Sequence, residues 1–235
     1  MQNNLVSQAG QMELHGVPND TLPGLNPVAC IFLGPLIQKY LYPILQRRRV
    51  PFRPVARIAV GFMCVVAAMS VASVIQSRIY ATGPCYQHPL ACPASDGGRI
   101  PNHVNGWVQT PIYIFMALSE VFAYVTALEY AYNKAPKDMK TIVSGISLVI
   151  AGLGSALGIA LSPLAADPRL VIMYAILASI MFLVTVVFFV RFRKYDSIDE
   201  DLDNLDVSTS PSSGSEVHIV HITLSEEVKG SSVAV

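Results

Sequence analysis

The chain has 235 residues, of which 52% are hydrophobic and only 14% are charged. Soluble domains carry about 25% charged residues, so this composition excludes an ordinary soluble domain and indicates several membrane spans. The formal net charge of +0 indicates nothing by itself, and nucleic acid is not expected among the partners.

Five apolar segments follow one another along the chain, each near the length of about 20 residues that a helix needs to cross a bilayer. They are residues 27–45, 55–79, 107–132, 141–164 and 170–191. Residues 1–14 are interpreted as the end of a further membrane helix. Residues 195–235 are acidic and then rich in serine, proline and glycine, which predicts a disordered tail. The predicted fold class is therefore an all-α polytopic membrane protein in the lipid bilayer.

The basic residues between the spans predict the orientation of the protein. Eleven of them fall on one face of the membrane and three on the other. By the positive-inside rule the face with eleven is cytoplasmic, so the tail is cytoplasmic and the connector 80–106 is extracellular. The eleven are Arg47, Arg48, Arg49, Arg53, Arg57, Lys134, Lys137, Lys140, Arg191, Arg193 and Lys194, and the three are Arg78, Arg99 and Arg169.

The cysteines fall into two groups. Cys85 and Cys92 lie in the connector that the charges place outside, where an oxidising environment permits a disulfide, and we expect them to form one. The alternatives are two free thiols, or a metal site that also uses His88. Cys30 and Cys64 fall within spans and are interpreted as small apolar packing residues.

The third apolar segment contains a carboxylate near its centre, Glu120. An ionised side chain at that depth is costly, so such residues normally face a bundle interior or a water-filled path and mark a functional site. The alternative is a carboxylate that only holds helices together. At about 100° per residue, Tyr113 and Tyr124 share a stripe with Glu120, which predicts a polar lining. Glu129 projects to the opposite side of the helix.

A carboxyl group in this position suits two tasks. It can take up and release a proton, and it can pair with the ammonium group of a substrate. Competition between a proton and a cationic substrate for one carboxyl group would couple the two directly. The sequence contains no recognisable nucleophile–base pair, metal-ligand cluster or phosphate-binding glycine loop, so an enzyme is not expected.

Several motifs along residues 1–194 have the pattern of a known transporter family. Ser7-Gln8-Ala9-Gly10 and Asn26-Pro27 are two short ones. The longest consists of Gln109-x-Pro111-x-Tyr113, Ser119-Glu120-Val121-Phe122, Leu128-Glu129-Tyr130-Ala131-Tyr132, Ala135-Pro136 and Met139-Lys140. These motifs resemble the seventh, eighth and tenth spans of the proton-dependent oligopeptide transporters, and the details are closest to fungal di- and tripeptide transporters.

The resemblance implies a partial major-facilitator fold with five full membrane helices and the end of one more. Residues 1–14 would end the family's seventh span, and residues 15–194 would contain its spans eight to twelve. The implied partners are di- and tripeptides and protons, with the proton as coupling ion and no other cofactor.

The resemblance also implies a set of substrate-binding residues. In the family the tenth-span Glu binds the amino terminus of the peptide, which corresponds to Glu120 here. The eighth-span Asn shares that task and corresponds to Asn26. Gln8 lies in the seventh-span segment that faces the cavity, and Tyr113 and Tyr124 complete the expected set.

The length of the family's members sets the functional expectation. They have twelve spans, so we expect this chain to be the carboxy-terminal half of a proton-coupled peptide symporter of the plasma membrane, with the amino-terminal half missing. Ala9 and Ser147 differ from residues common at these positions, which leaves the side-chain preference of the pocket open. The alternative is a helical membrane protein that transports nothing alone and associates with or modulates a full-length transporter.

Overall fold

The protein is almost entirely helical. The computed structural model describes residues 2–14, 16–48, 53–89, 91–97, 100–136, 139–161 and 167–209. The α-helices are α1 (Gln2–Gly10), α2 (Leu25–Leu36), α3 (Tyr42–Arg47), α4 (Pro54–Ala81), α5 (Thr110–Ser119), α6 (Thr126–Lys134), α7 (Lys140–Leu161) and α8 (Leu170–Thr209). The two strands are β1 (Met12–Glu13) and β2 (Asn102–Asn105).

The predicted membrane spans are confirmed in number and place. Within the described residues, five helical segments are long and apolar enough to cross a membrane: Thr21–Leu45, Pro54–Ala81, Gly106–Lys134, Lys140–Ala160 and Leu170–Arg193. The first of them begins six residues before the predicted segment, because a 3-10 helix at Asn19–Gly24 leads directly into α2. The expectation of an all-α, multi-pass membrane fold is therefore confirmed.

Two spans contain a π-helical segment, which the sequence patterns did not predict. The first, Ile37–Leu41, links α2 to α3, and the second, Glu120–Val125, links α5 to α6. Pro43 explains the first, since it has no N–H and cannot complete the regular hydrogen-bond ladder of an α-helix. A π segment adds about one residue to a turn and so rotates the residues after it by roughly 100° relative to a regular helix.

The main apolar core lies between α1, α4, α5 and the first turns of α8. Its fully buried members include Leu5, Met69, Tyr113 and Tyr174. α4 is central to this packing, and Gly61 of α4 lies against the π segment of Glu120. A Cβ atom at Gly61 would come within 2.6 Å of the Ala123 backbone nitrogen. This close approach positions the π segment against α4.

The long connector between α4 and α5 is fastened to the end of α1. β1 and β2 pair in parallel, and the Asn102 backbone N–H donates to the Gln11 carbonyl at 3.1 Å. The buried Asn102 side chain donates to the Ile79 carbonyl at 2.8 Å and accepts the Cys85 N–H at 3.1 Å. One asparagine thus ties the connector to both α1 and the end of α4.

The same connector contains a closed covalent loop. Cys85 and Cys92 are joined by a disulfide, with their Cα atoms 5.5 Å apart. Since the bond uses both sulfur atoms, the free-thiol and metal-ligand alternatives for this pair do not describe the structure. Cys30 and Cys64 are free and partly exposed.

The chain divides into two compact units, Met1–Arg193 and Lys194–Val235. The first contains the five spans. In the second, residues up to Thr209 continue the helix α8, whereas the sequence predicts a disordered tail from residue 195. Extending an existing helix avoids the cost of nucleation, which explains why this acidic stretch is helical. Residues 210–235 lie outside the described residues.

Candidate functional site

Glu120 lies at the junction of α5 and the π segment, on the side that faces α2. Its side chain is partly exposed, in a span whose apolar residues would exclude water from most of its surface. π segments inside α-helices occur frequently at functional sites. The position is therefore a site where a carboxylate is placed deep in the membrane and is still accessible.

Asn26 is the first partner of this carboxylate. It lies in the first turn of α2, is only 4% exposed, and donates from Nδ2 to Glu120 Oε1 at 2.8 Å. Among the described residues, Asn26 Oδ1 has no hydrogen-bond partner. Buried polar atoms are nearly always hydrogen-bonded in native structures, so this oxygen points to a donor group supplied by water or a ligand.

Cys30 is the second partner, and sequence reasoning missed it. It follows Asn26 by four residues and so projects from the same face of α2. Its Sγ lies 3.4 Å from Glu120 Oε2 and 3.8 Å from the Ala117 carbonyl oxygen. The four-residue spacing from Asn26 was the available signal. Asn26, Cys30 and Glu120 together are called the carboxylate site below.

The carboxylate site is suited to a cationic donor. Glu120 supplies the negative charge, and Asn26 Oδ1 supplies a neutral acceptor beside it. A primary ammonium group carries three N–H donors and one positive charge. It would satisfy the asparagine oxygen and neutralise the carboxylate at once, which neither a neutral donor nor an anion can do.

Gln8, the third predicted substrate-binding residue, does not lie in the carboxylate site. Its side chain is fully buried, donates to the Ala72 carbonyl at 3.0 Å and accepts from Gln109 Nε2 at 3.1 Å. Gln11 and Gln76 form a similar contact, in which Gln76 Nε2 donates to Gln11 Oε1 at 2.8 Å. Gln8, Gln11, Gln76 and Gln109 are called the glutamine cluster below. The structure therefore places Gln8 in an interhelical packing cluster and not in the carboxylate site.

The glutamine cluster continues to the turn before α8. Gln11 Nε2 donates to Asp167 Oδ2 at 2.9 Å, and the Tyr80 hydroxyl donates to Asp167 Oδ1. These bonds join α1, α4 and the start of α8, and sequence reasoning missed them. Glutamines scattered over distant parts of the sequence gave no sign that they meet in the fold.

The two tyrosines of the predicted stripe separate in the structure. Tyr113 is fully buried in the main core, about two turns before Glu120, and its hydroxyl has no partner among the described residues. Tyr124 is half-exposed and lines a cavity of about 660 Å³ together with Glu129. Tyr113 precedes the π segment and Tyr124 lies within it, so the two tyrosines have different surroundings although both were expected beside Glu120.

Comparison with known proteins gives the family. The profile of the PTR2 domain of the POT family matches residues 1–178. This chain belongs to the POT family. The peptide transporter imqD of Aspergillus flavus is 52% identical over 199 residues, which are 85% of this chain and 49% of the relative. The peptide transporter PTR2 of Saccharomyces cerevisiae is 40% identical over 206 residues, covering 88% of this chain and 33% of the relative.

Solved POT structures confirm the fold. The crystal structure of an auto-inhibited POT family peptide transporter matches 82% of this chain and 36% of that chain, with a TM-score of 0.59 and 21% identity. The resemblance to fungal members of the family, drawn from the motifs, is confirmed by the identity to the Aspergillus flavus and Saccharomyces cerevisiae relatives. The chain spans about half or less of the length of the curated relatives that it matches.

Proposed function

We propose that this POT chain forms the carboxy-terminal half of a proton-coupled symporter that takes up di- and tripeptides across the plasma membrane. The observation that carries the proposal is the carboxylate site, in which a partly exposed Glu120 is paired with an asparagine that has a free acceptor oxygen. The names of the relatives, which are peptide transporters, support the choice of substrate.

The site supports a simple coupling scheme. The amino terminus of a peptide binds Glu120 as an ammonium group and donates to Asn26 Oδ1. A proton competes for the same carboxylate, so protonation of Glu120 releases the amino terminus and loss of the proton restores the site. In this scheme the proton is the coupling ion, and no other cofactor takes part.

The proposed orientation places the connector between α4 and α5 outside the cell and the end of α8 in the cytoplasm. The disulfide in that connector supports it, since disulfides persist in oxidising compartments. The eleven basic residues on the other face support it independently.

The test is an uptake assay with a chimera, in which this chain replaces the matching 199 residues of the Aspergillus flavus relative. In yeast cells that lack peptide uptake, we expect the chimera to accumulate dipeptides and Glu120→Gln to abolish accumulation while its amount at the cell surface stays unchanged. Glu129→Gln is the matched control, because it removes the other carboxylate of the same span. Unchanged uptake by Glu120→Gln would contradict the proposal.

A second candidate is a helical membrane subunit that associates with a transporter and transports nothing alone. The exposure of α7 favours this candidate, since no residue of Lys140–Ala160 is buried against the described part of the chain. Reconstitution of the chain alone in liposomes under an inward proton gradient separates the candidates. Dipeptide accumulation in these liposomes would exclude the second candidate.

A further inference from the structure

Cys30 has two acceptors within reach of its thiol. Glu120 Oε2 lies 3.4 Å from its Sγ, and the Ala117 carbonyl oxygen, one turn earlier on the same span as Glu120, lies 3.8 Å away. A thiol has one proton to donate. Cys30 can therefore donate to the carboxylate or to the carbonyl, and turning between them requires only rotation of one side chain.

The two oxygens of Glu120 are held by donors of different strength. The amide of Asn26 donates to Oε1, whereas the thiol of Cys30, a weak donor, donates to Oε2. The Oδ1 atom of the buried Asn26 is a further acceptor beside this carboxylate and has no hydrogen-bond partner among the described residues. An incoming ammonium group would therefore compete with the weaker of the two existing donors.

We propose that Cys30 sets the affinity of Glu120 for the amino terminus of the substrate by occupying Oε2 in the empty site and turning to the Ala117 carbonyl when the ammonium group binds. This proposal rests on the proposed function, because it assumes a peptide at Glu120. It assigns Cys30 as a specificity-determining residue for free amino termini, which the interpretation as a packing residue did not.

Displacing Cys30 from Glu120 costs little free energy because the Ala117 carbonyl is a second acceptor for its thiol. A donor that loses its only acceptor within an apolar span is left unsatisfied, which costs free energy. The Ala117 carbonyl prevents that loss for Cys30. A residue with a stronger donor would hold Oε2 more firmly, and a residue without a donor would leave Oε2 open to the ligand.

The first experiment measures alkylation of the chimera in lipid nanodiscs by N-ethylmaleimide, read for each cysteine by mass spectrometry. With a dipeptide at about ten times its dissociation constant, we expect Cys30 to react about ten-fold more slowly, because the free site is depleted by mass action. Cys64, which is also free and partly exposed, is the internal control and should react at an unchanged rate. An N-acetylated dipeptide lacks the ammonium group and should protect neither cysteine.

The second experiment compares Cys30→Ser and Cys30→Ala in the chimera. A hydroxyl is the stronger donor to a carboxylate, so we expect Cys30→Ser to raise KM about five-fold and Cys30→Ala to lower it roughly two-fold, with kcat unchanged in both. A residue that only packs predicts the opposite order, with Cys30→Ala impaired and Cys30→Ser close to the unsubstituted chain. That opposite order would overturn the proposal.

The two proposals fail in different ways. If the chimera takes up dipeptides and Glu120→Gln stops it, but dipeptide leaves the alkylation rate of Cys30 unchanged, then only the role of Cys30 is wrong. If the chimera takes up no dipeptide and dipeptide protects no cysteine, the proposed function is wrong and the role of Cys30 is wrong with it.

Discussion

The glutamine cluster and the carboxylate site are both polar groups packed among apolar helices, but they differ in charge and exposure. The members of the glutamine cluster are neutral and at most 4% exposed, and their amide nitrogens all donate to protein oxygens. The Oε1 atoms of Gln76 and Gln109 have no partner among the described residues, so an unpartnered amide oxygen is common to both groups. The carboxylate site contains an ionisable and partly exposed side chain, Glu120. A polar residue in a membrane span is therefore not by itself evidence of a binding site.

The difference follows from the energetics of the bilayer. Neutral amides that bond across helices contribute modestly to packing in membranes and demand no ligand. A carboxylate costs far more to place there, so it is retained where it can meet a cation or a proton. The two groups can be tested against each other by exchanging their charges.

The largest effect on stability is expected when a charge is introduced into the glutamine cluster. Gln109→Glu would put a carboxylate in a fully enclosed place, where Gln109 now donates to the Leu5 carbonyl at 2.9 Å. We expect it to destabilise the fold by about 3 kcal/mol or more, measured by thermal unfolding of the detergent-solubilised chain. Glu120→Gln is the matched control and should leave thermal stability unchanged. Equal stability of Gln109→Glu and the unsubstituted chain would contradict the distinction.

A smaller effect on stability is expected when the packing of α4 against the π segment of Glu120 is disturbed. Gly61→Ala would place a Cβ atom 2.6 Å from both the Cβ and the backbone nitrogen of Ala123. We expect a loss of about 1–3 kcal/mol in stability, because overpacking forces the two helices apart. Dipeptide uptake by the chimera should fall as well, since the π segment that presents Glu120 must move.

Gly152→Ala controls for the substitution itself, because no atom of the described residues lies within 4 Å of a Cβ atom built there. It should leave both stability and uptake unchanged. If Gly61→Ala were as harmless as Gly152→Ala, then contact with α4 would not determine the position of the π segment.

The sequence allowed the spans and the principal residue of the carboxylate site to be predicted. The spans follow from composition and length alone, and Glu120 follows from the cost of a charge in an apolar helix. The family motifs added Asn26, and the structure brings it within 2.8 Å of Glu120 although 94 residues separate them. The substrate-binding roles of both residues stay predictions.

The remainder depended on geometry that a sequence does not contain. Tyr124 was expected beside Glu120, and the structure places it on a π-helical segment, in a cavity that Glu129 also lines. Gln8 was assigned to the cavity, but its partners come from α4 and from the residues that lead into α5. Cys30 was missed because a free thiol in an apolar span behaves as a small apolar residue and is only a weak donor.

The smallest effect is expected within the glutamine cluster when no charge is introduced. Gln76→Leu removes the hydrogen bond from Gln76 Nε2 to Gln11 Oε1 and replaces the amide with an apolar side chain of similar size. We expect a loss of about 0.6 kcal/mol in stability, the usual contribution of one interhelical hydrogen bond in a membrane, with dipeptide uptake by the chimera unchanged.

Ser77→Ala is the control, because Ser77 is exposed and its hydroxyl donates within its own helix, to the Val74 carbonyl. If Gln76→Leu abolished uptake at nearly full stability, the glutamine cluster would belong to the transport mechanism, and the separation of the two polar groups by charge would fail.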